Sequence, residues 1–257
     1  MIEHLVPPSV RTRAAYGAEL DTAPLHPEEA PAVARAVPKR RAEYAAGRAC
    51  ARGALHDLTG RPPGPVLRDA ERGAPRWPDG VVGSITHCDG YRAAAVARHT
   101  DVLALGIDAE PHAPLPGGVL DVILATGPER AALDALTARA PHVHWDRLLF
   151  SAKETVYKAW YPYHRRMLGF TEAELTFTHD EFPDSEFPDT DTADGPRAGT
   201  QRGTYTARLL IPGPLLADGI GPDVFTGRWI VRDGLLATAI AVPATGATPT
   251  PAPPASS

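Results

Sequence analysis

The chain has 257 residues, 43% hydrophobic and 22% charged, with a formal net charge of −5, which fits one or two globular domains able to bury a core. The charge is uneven, because Asp180, Glu181, Asp184, Glu186, Asp189, Asp191 and Asp194 fall in one stretch and the remainder is slightly basic, not the footprint of a nucleic-acid coat. No apolar run approaches the roughly 18 residues of a membrane span, the N-terminus has no basic region followed by an apolar one, and Cys50 and Cys88 form no C-x-x-C pair, so the expected address is the cytoplasm, without membrane or nucleic-acid partners.

The first element predicted is a helix over Lys39–Thr59, stopped by Gly60. At about 100° per residue, Arg41, Arg48 and Arg52 line up on one stripe with Arg40 beside it. Tyr44, Ala51, Leu55 and Leu58 mark the face to be buried. Like charges four apart destabilise a helix, so a bound anion would relieve the stripe, although a solvated basic face accounts for it too. A hairpin follows over Val81–Ala97, turning at Asp89-Gly90. Thr86 and His87 end its first strand, where donors can face a ligand phosphate; a structural histidine is the plainer reading. The segment is no P-loop, since no Gly-Lys-Ser/Thr follows.

In the strand beginning at Val102, Leu103, Leu105, Ile107 and Ala109 share one face, and Gly106, Asp108 and Glu110 the other. Two acids on one face repel unless a cation lies between them or the strand end reaches solvent. Gly106 should leave open space beside them. Helices are predicted over Pro128–Ala140 and Asp146–Tyr161. On the latter, Leu149, Val156, Ala159 and Trp160 face inward, and Glu154 and Lys158 point away from them. A Ser151–Glu154 capping box or an ordinary Glu154–Lys158 pair would explain these residues without function. The acidic stretch, about 178–203, repeats Glu-Phe-Pro-Asp and reads as a solvated loop insertion, not a calcium loop. A second hairpin spans Phe225–Val242 with its turn at Asp233-Gly234, and residues 243–257 form a disordered tail. The fold class expected is α+β in two similar halves, 1–111 and 112–242, each closed by a hairpin.

Taken together and in order, Gly83-Ser-Ile-Thr-His-Cys88, Gly106-Ile-Asp-Ala-Glu-Pro111 and Phe150-Ser-Ala-Lys-Glu-Thr-Val-Tyr-Lys158, with the basic helix, resemble the 4′-phosphopantetheinyl transferases. The likeness is to the monomeric, two-halved kind that serves siderophore, nonribosomal peptide and polyketide assembly lines, and it covers about half of the chain. The resemblance implies two α+β halves related by a pseudo-twofold with the active site between them. It implies that Asp108, Glu110 and Glu154 gather around Mg²⁺, or Mn²⁺, which prefers carboxylate oxygens. Coenzyme A would be the substrate, and a serine of an acyl or peptidyl carrier protein would attack its β-phosphate, releasing adenosine 3′,5′-bisphosphate. Glu154 would be the base, and Lys158 would hold the transferred phosphate or stabilise the leaving group. Arg40, Arg41, Arg48 and Arg52 would take the 3′-phosphate, Thr86 and His87 the pyrophosphate, and Arg72, Gly73, Ala74 and Pro75 would wrap the adenine, with Lys153 joining the coenzyme set. The segment His112–Leu124, with Leu115, Val119, Leu120, Val122 and Ile123 and no basic residue, is expected to offer the carrier an apolar patch. Two other readings use the same residues: a metal-dependent nucleotide phosphohydrolase, and a non-catalytic protein that binds coenzyme A or a carrier.

Overall fold

The computed structural model describes residues 1–17, 19–69, 71, 73–180, 199–212, 214–217 and 219–244. In chain order these form β1 (Arg11–Tyr16), α1 (Glu19–Thr22), α2 (Pro38–Thr59), β2 (Val81–Cys88), β3 (Tyr91–Arg98), β4 (Val102–Pro111), α3 (Val119–Ile123), α4 (Gly127–Arg139), α5 (Trp145–His164), β5 (Ala173–Phe177), β6 (Gln201–Leu209), β7 (Phe225–Arg232) and β8 (Leu235–Pro243). Helix and strand are mixed along the chain as an α+β fold requires.

Two antiparallel sheets carry the architecture, in the orders β1-β3-β2 and β4-β8-β7-β6-β5. They stack in four layers, because each sheet is apolar on both faces. On β3, Ala94 and Val96 meet Ala51, Ala54 and Leu55 of α2, while Ala93, Ala95 and Ala97 turn to the second sheet. That second sheet answers with Leu105, Ile107 and Ala109 of β4 and Ala237 and Ala239 of β8. Its other face packs on Leu149, Val156, Ala159 and Trp160 of α5, all fully buried. The strand alternation of two and the helical stripe of 3.6 read from the sequence are both realised here.

Apart from shifts of a few residues at helix ends, four features differ from the sequence expectation. β4, assigned on sequence to the first half, pairs with β8 and so belongs to the second sheet. β8 runs on to Pro243, which pairs with Val102, and the Ala244 amide donates to the Asp101 carbonyl, so the ordered chain passes the start expected for the tail; residues 245–257 lie outside the described set. The acidic insertion is narrower than 178–203, since Gln201, Arg202 and Gly203 pair with Val231, Ile230 and Trp229; residues 181–198 lie outside the described set. Finally, the space beside Gly106 is filled by α5: a Cβ there would lie 2.2 Å from the Thr155 carbonyl oxygen. Only glycine lets the helix backbone come so close to the strand. The second hairpin turn has positive φ at both Asp233 and Gly234, as a tight two-residue connection of twisted strands demands.

Candidate active site

The acids predicted on β4 lie where β2, β4 and α5 meet. Among the described residues no backbone ladder joins β2 to β4; the hydroxyls of β2 replace one. Ser84 Oγ accepts from the Ile107 amide at 3.1 Å, and Thr86 Oγ1 accepts from the Ala109 amide at 2.9 Å. Thr86 Oγ1 also donates to Asp108 Oδ1 at 3.2 Å. Lys158 reaches over from α5, donating to Asp108 Oδ1 at 2.7 Å and to the Ile107 carbonyl at 3.1 Å. Asp108 is 5% exposed, and its Oδ2 is buried without a hydrogen-bond partner. An unpaired buried carboxylate oxygen is costly, and its presence asks for a further cation or donor.

Glu110 and Glu154 share this neighbourhood. Burial raises Glu110 above its ordinary pKa, the Asp108 charge adds to that, and Arg147 opposes it. Burial also raises Glu154, with Lys158 pulling down and Asp108 pushing up. Arg147 Nη1 donates to Glu110 Oε2 at 3.0 Å. Among the described residues no three acidic, histidine or cysteine side chains converge on one point; Lys158 and Arg147 take up Asp108 and Glu110 instead. The donor set nevertheless suits a hard divalent ion: Glu110 and Glu154 each feel the Asp108 charge, and Asp108 keeps a bare buried oxygen.

Both function-free readings of the helix fail on geometry. Ser151 lies inside α5, two turns from its start, and its hydroxyl meets Thr238 Oγ1 at 2.9 Å, so it caps nothing. Lys158 is ion-paired to Asp108 across the strand rather than to Glu154 one turn back.

The basic helix divides. Arg40 Nη1 donates to His87 Nε2 at 3.1 Å and lies 3.3 Å from Glu43. A guanidinium only donates, so Nε2 is the accepting nitrogen and His87 is neutral. Burial first, then the charges of Arg40, Lys158 and Arg92, hold its pKa down. Arg48 is 6% exposed, stacks over the Tyr44 ring at 4.7 Å, and keeps a buried Nε without a partner, as does the Tyr44 hydroxyl. Arg41 donates to the Ala34 carbonyl at 3.2 Å. Arg52 is ion-paired with the fully buried Glu29 and bonded to the Pro24 carbonyl.

Lys153 stands apart from the cluster. Its buried ammonium donates to Glu129 Oε2 at 3.0 Å and to the carbonyls of Ile123, Phe170 and Ala173 at 2.6 to 2.9 Å. Every proton is engaged, so it ties α3, α4 and β5 to α5 and has none to spare for a coenzyme. Gly73, Ala74 and Pro75 line a cavity of about 540 Å³ together with β2, Tyr157, Tyr161 and Lys158. Lys158 is thus shared by the cavity and the carboxylates. The loop is closed by Asp69 and Ala74, and Gly73 (φ 76°) donates to Asp69 Oδ1. Arg72 lies outside the described residues. In the expected docking segment, Ile123 is buried and Leu115, Val119 and Leu120 pack on the core, leaving Val122 as its large exposed apolar side chain.

Sequence reasoning missed Arg147. It lies seven residues before Glu154, two turns down the same stripe, and that spacing was available as a signal.

Comparison with known proteins gives two adjoining family matches. The profile described as the 4′-phosphopantetheinyl transferase N-terminal domain covers residues 28–97, and the one described as the 4′-phosphopantetheinyl transferase superfamily covers 104–208. The chain is 54% identical to 4′-phosphopantetheinyl transferase Svp of Streptomyces mobaraensis, over 87% of this chain and 81% of that one. It is 45% identical to 4′-phosphopantetheinyl transferase Npt of Nocardia iowensis, over 94% and 99%, and 47% identical to 4′-phosphopantetheinyl transferase PptT of Mycobacterium tuberculosis, over 83% and 84%. The two profiles part at the short turn between β3 and β4, and likeness of this extent leaves one assignment: the chain belongs to the 4′-phosphopantetheinyl transferases, enzymes that move the phosphopantetheine arm of coenzyme A onto carrier-protein domains.

Proposed function

We propose that Asp108, Glu110 and Glu154 hold a divalent cation, Mg²⁺ in the first instance, beside the pyrophosphate of coenzyme A. The observation that carries this is the buried, unpartnered Oδ2 of Asp108 next to two carboxyls whose protonation its charge favours. Bound there, the ion would neutralise pyrophosphate oxygens and the charge of the departing group.

The chain's own groups supply the rest. Glu154, made more basic by burial, takes the proton of the carrier serine. The serine oxygen bonds to the β-phosphorus, the bond from that phosphorus to the bridging oxygen breaks, and the electron pair leaves with adenosine 3′,5′-bisphosphate. Lys158, which lines the cavity, turns from Asp108 to the phosphoryl oxygens once the acids are otherwise neutralised. Arg40 and Arg48 are the members of the stripe assigned to the 3′-phosphate, since Arg48 has an unused buried donor while Arg41 and Arg52 are committed elsewhere. His87, through Arg40, and the loop Gly73-Ala74-Pro75 line the path of the nucleotide. Thr86 acts on Asp108 and β4 rather than on a phosphate, because its hydroxyl is spent there. On the family membership we further propose a monomer working on acyl or peptidyl carrier proteins in the cytoplasm; no described helix is long and apolar enough to cross a membrane.

The test is the intact mass of an apo carrier protein incubated with the enzyme, coenzyme A and Mg²⁺, with and without EDTA. One phosphopantetheine should be gained, EDTA should abolish the gain, and Asp108→Asn should lower the rate by at least about 100-fold with the fold retained. A wild-type rate for that variant would overturn the metal assignment.

A further inference from the structure

Two residues in the first turn of α5, Asp146 and Arg147, grip the stretch by which β4 leaves the site. Arg147 spends its guanidinium on three acceptors: Nη1 on Glu110 Oε2 at 3.0 Å, Nε on the Ala113 carbonyl at 3.2 Å and Nη2 on the Pro114 carbonyl at 2.9 Å. Asp146 Oδ2 accepts from the Leu115 amide at 2.8 Å, and its Oδ1 accepts from the Arg147 amide at 2.8 Å. Residues 110 to 115 are thereby fixed to the helix that carries Glu154 and Lys158. The Arg147 side chain is 18% exposed, so these bonds form partly out of water and hold.

The arrangement is specific to a planar fork. A lysine's donors all leave one nitrogen, so it cannot take the three separate positions that Nη1, Nε and Nη2 hold against these acceptors. Among the described residues no other hydrogen bond or ion pair holds the Glu110 carboxylate, and Asp108 repels it. Left alone, it would turn to solvent at the strand end.

We propose that Arg147 is a positioning residue for the reaction: it holds the Glu110 carboxylate beside Asp108 and locks the following connection to α5. The inference rests on the reading of Glu110 as a metal ligand. With its three nitrogens committed to Glu110, Ala113 and Pro114, it acts through the carboxylate it holds. Partners of this kind behind a metal ligand are typically worth about 10- to 100-fold in metal affinity.

The experiment is Mn²⁺ binding to the purified enzyme, followed by the electron paramagnetic resonance of free Mn²⁺, for wild type, Arg147→Lys, Arg147→Gln, Glu110→Gln and the Glu110→Gln/Arg147→Lys double variant, with melting temperatures alongside. Both Arg147 variants should bind Mn²⁺ about tenfold or more weakly, and Arg147→Lys should add little once Glu110 is already Gln. A purely structural role would lower the melting temperature and leave Mn²⁺ affinity unchanged, and that result overturns the proposal. Wild-type Mn²⁺ affinity in Glu110→Gln would instead bring down the ligand reading on which it rests. Should the neutral variant fail to fold, Arg147→Lys, which keeps the charge and most of the stem, decides the matter alone.

Discussion

Arg52 ends on Glu29, a carboxylate with no exposed surface, while Arg48 one turn earlier keeps a buried nitrogen without a partner. The two should therefore fail differently. Arg48→Gln should cost about tenfold in the preference for coenzyme A over its dephospho form, the worth of one charge-assisted bond, read from kcat/KM for the two substrates. Arg52→Gln should leave that preference alone and remove about 3–5 kcal/mol of stability in denaturant unfolding, because a buried carboxylate loses its counter-ion. Lys153→Met belongs with the second case, since it strands Glu129, so a folded variant with an intact KM for coenzyme A is expected. The helical spacing of the arginines was legible, but their division of labour was not. Glu29 lies 23 residues before Arg52 and outside its helix, and periodicity reports a face, never the neighbour that the fold brings to it.

At the scale of elements, the junction of β4 and α5 depends on an absent side chain. Gly106→Ala would set a methyl 2.2 Å from the Thr155 carbonyl, so the helix carrying Glu154 must lift from the strand carrying Asp108. A stability loss of about 1–3 kcal/mol from overpacking is expected, with a larger loss of turnover than of coenzyme binding; equal losses would show that the spacing does not matter to the chemistry. Away from the site, the Thr126 hydroxyl and then Arg208 hold the Glu174 carboxyl below its ordinary pKa, joining α4 to β5 and β6. A carboxyl lowered by folding contributes stability above its unfolded pKa and loses it as the pH falls through the folded value. Glu174→Gln should thus flatten the acid limb of melting temperature against pH and lower the plateau near neutrality. Strand and helix were readable at β4 and α5 because their apolar residues recur with periods of two and 3.6. That β4 pairs with β8, more than a hundred residues on, was not readable, since one strand's pattern names no partner.

For the whole molecule the joint between the sheets is the decisive feature. Thr86 is 1% exposed and serves both sides: it satisfies the Ala109 amide and steadies Asp108. Thr86→Val keeps the shape and strands a buried N–H, at about 1–3 kcal/mol. Transfer should fall further than that loss of folded protein explains, with Thr86→Ser restoring it; failure of Ser to restore would assign the methyl, not the hydroxyl, the main role. The motif Gly83–Cys88 was legible in the sequence, but the bond of Thr86 to the Ala109 amide was not, because the sequence does not show that the edge of β4 lies opposite.

That joint also bears on how such a chain can change over time. A β-ladder has a fixed register, and slipping it by one residue turns every side chain to the wrong face. Two hydroxyls two residues apart on a strand impose a much looser condition. The three-stranded layer can drift in sequence as long as small hydroxylated residues stay at positions 84 and 86 and Ala93, Ala95 and Ala97 keep their packing on β4 and β8. The acids and the lysine all lie on β4 and α5, on the five-stranded side, and so move together.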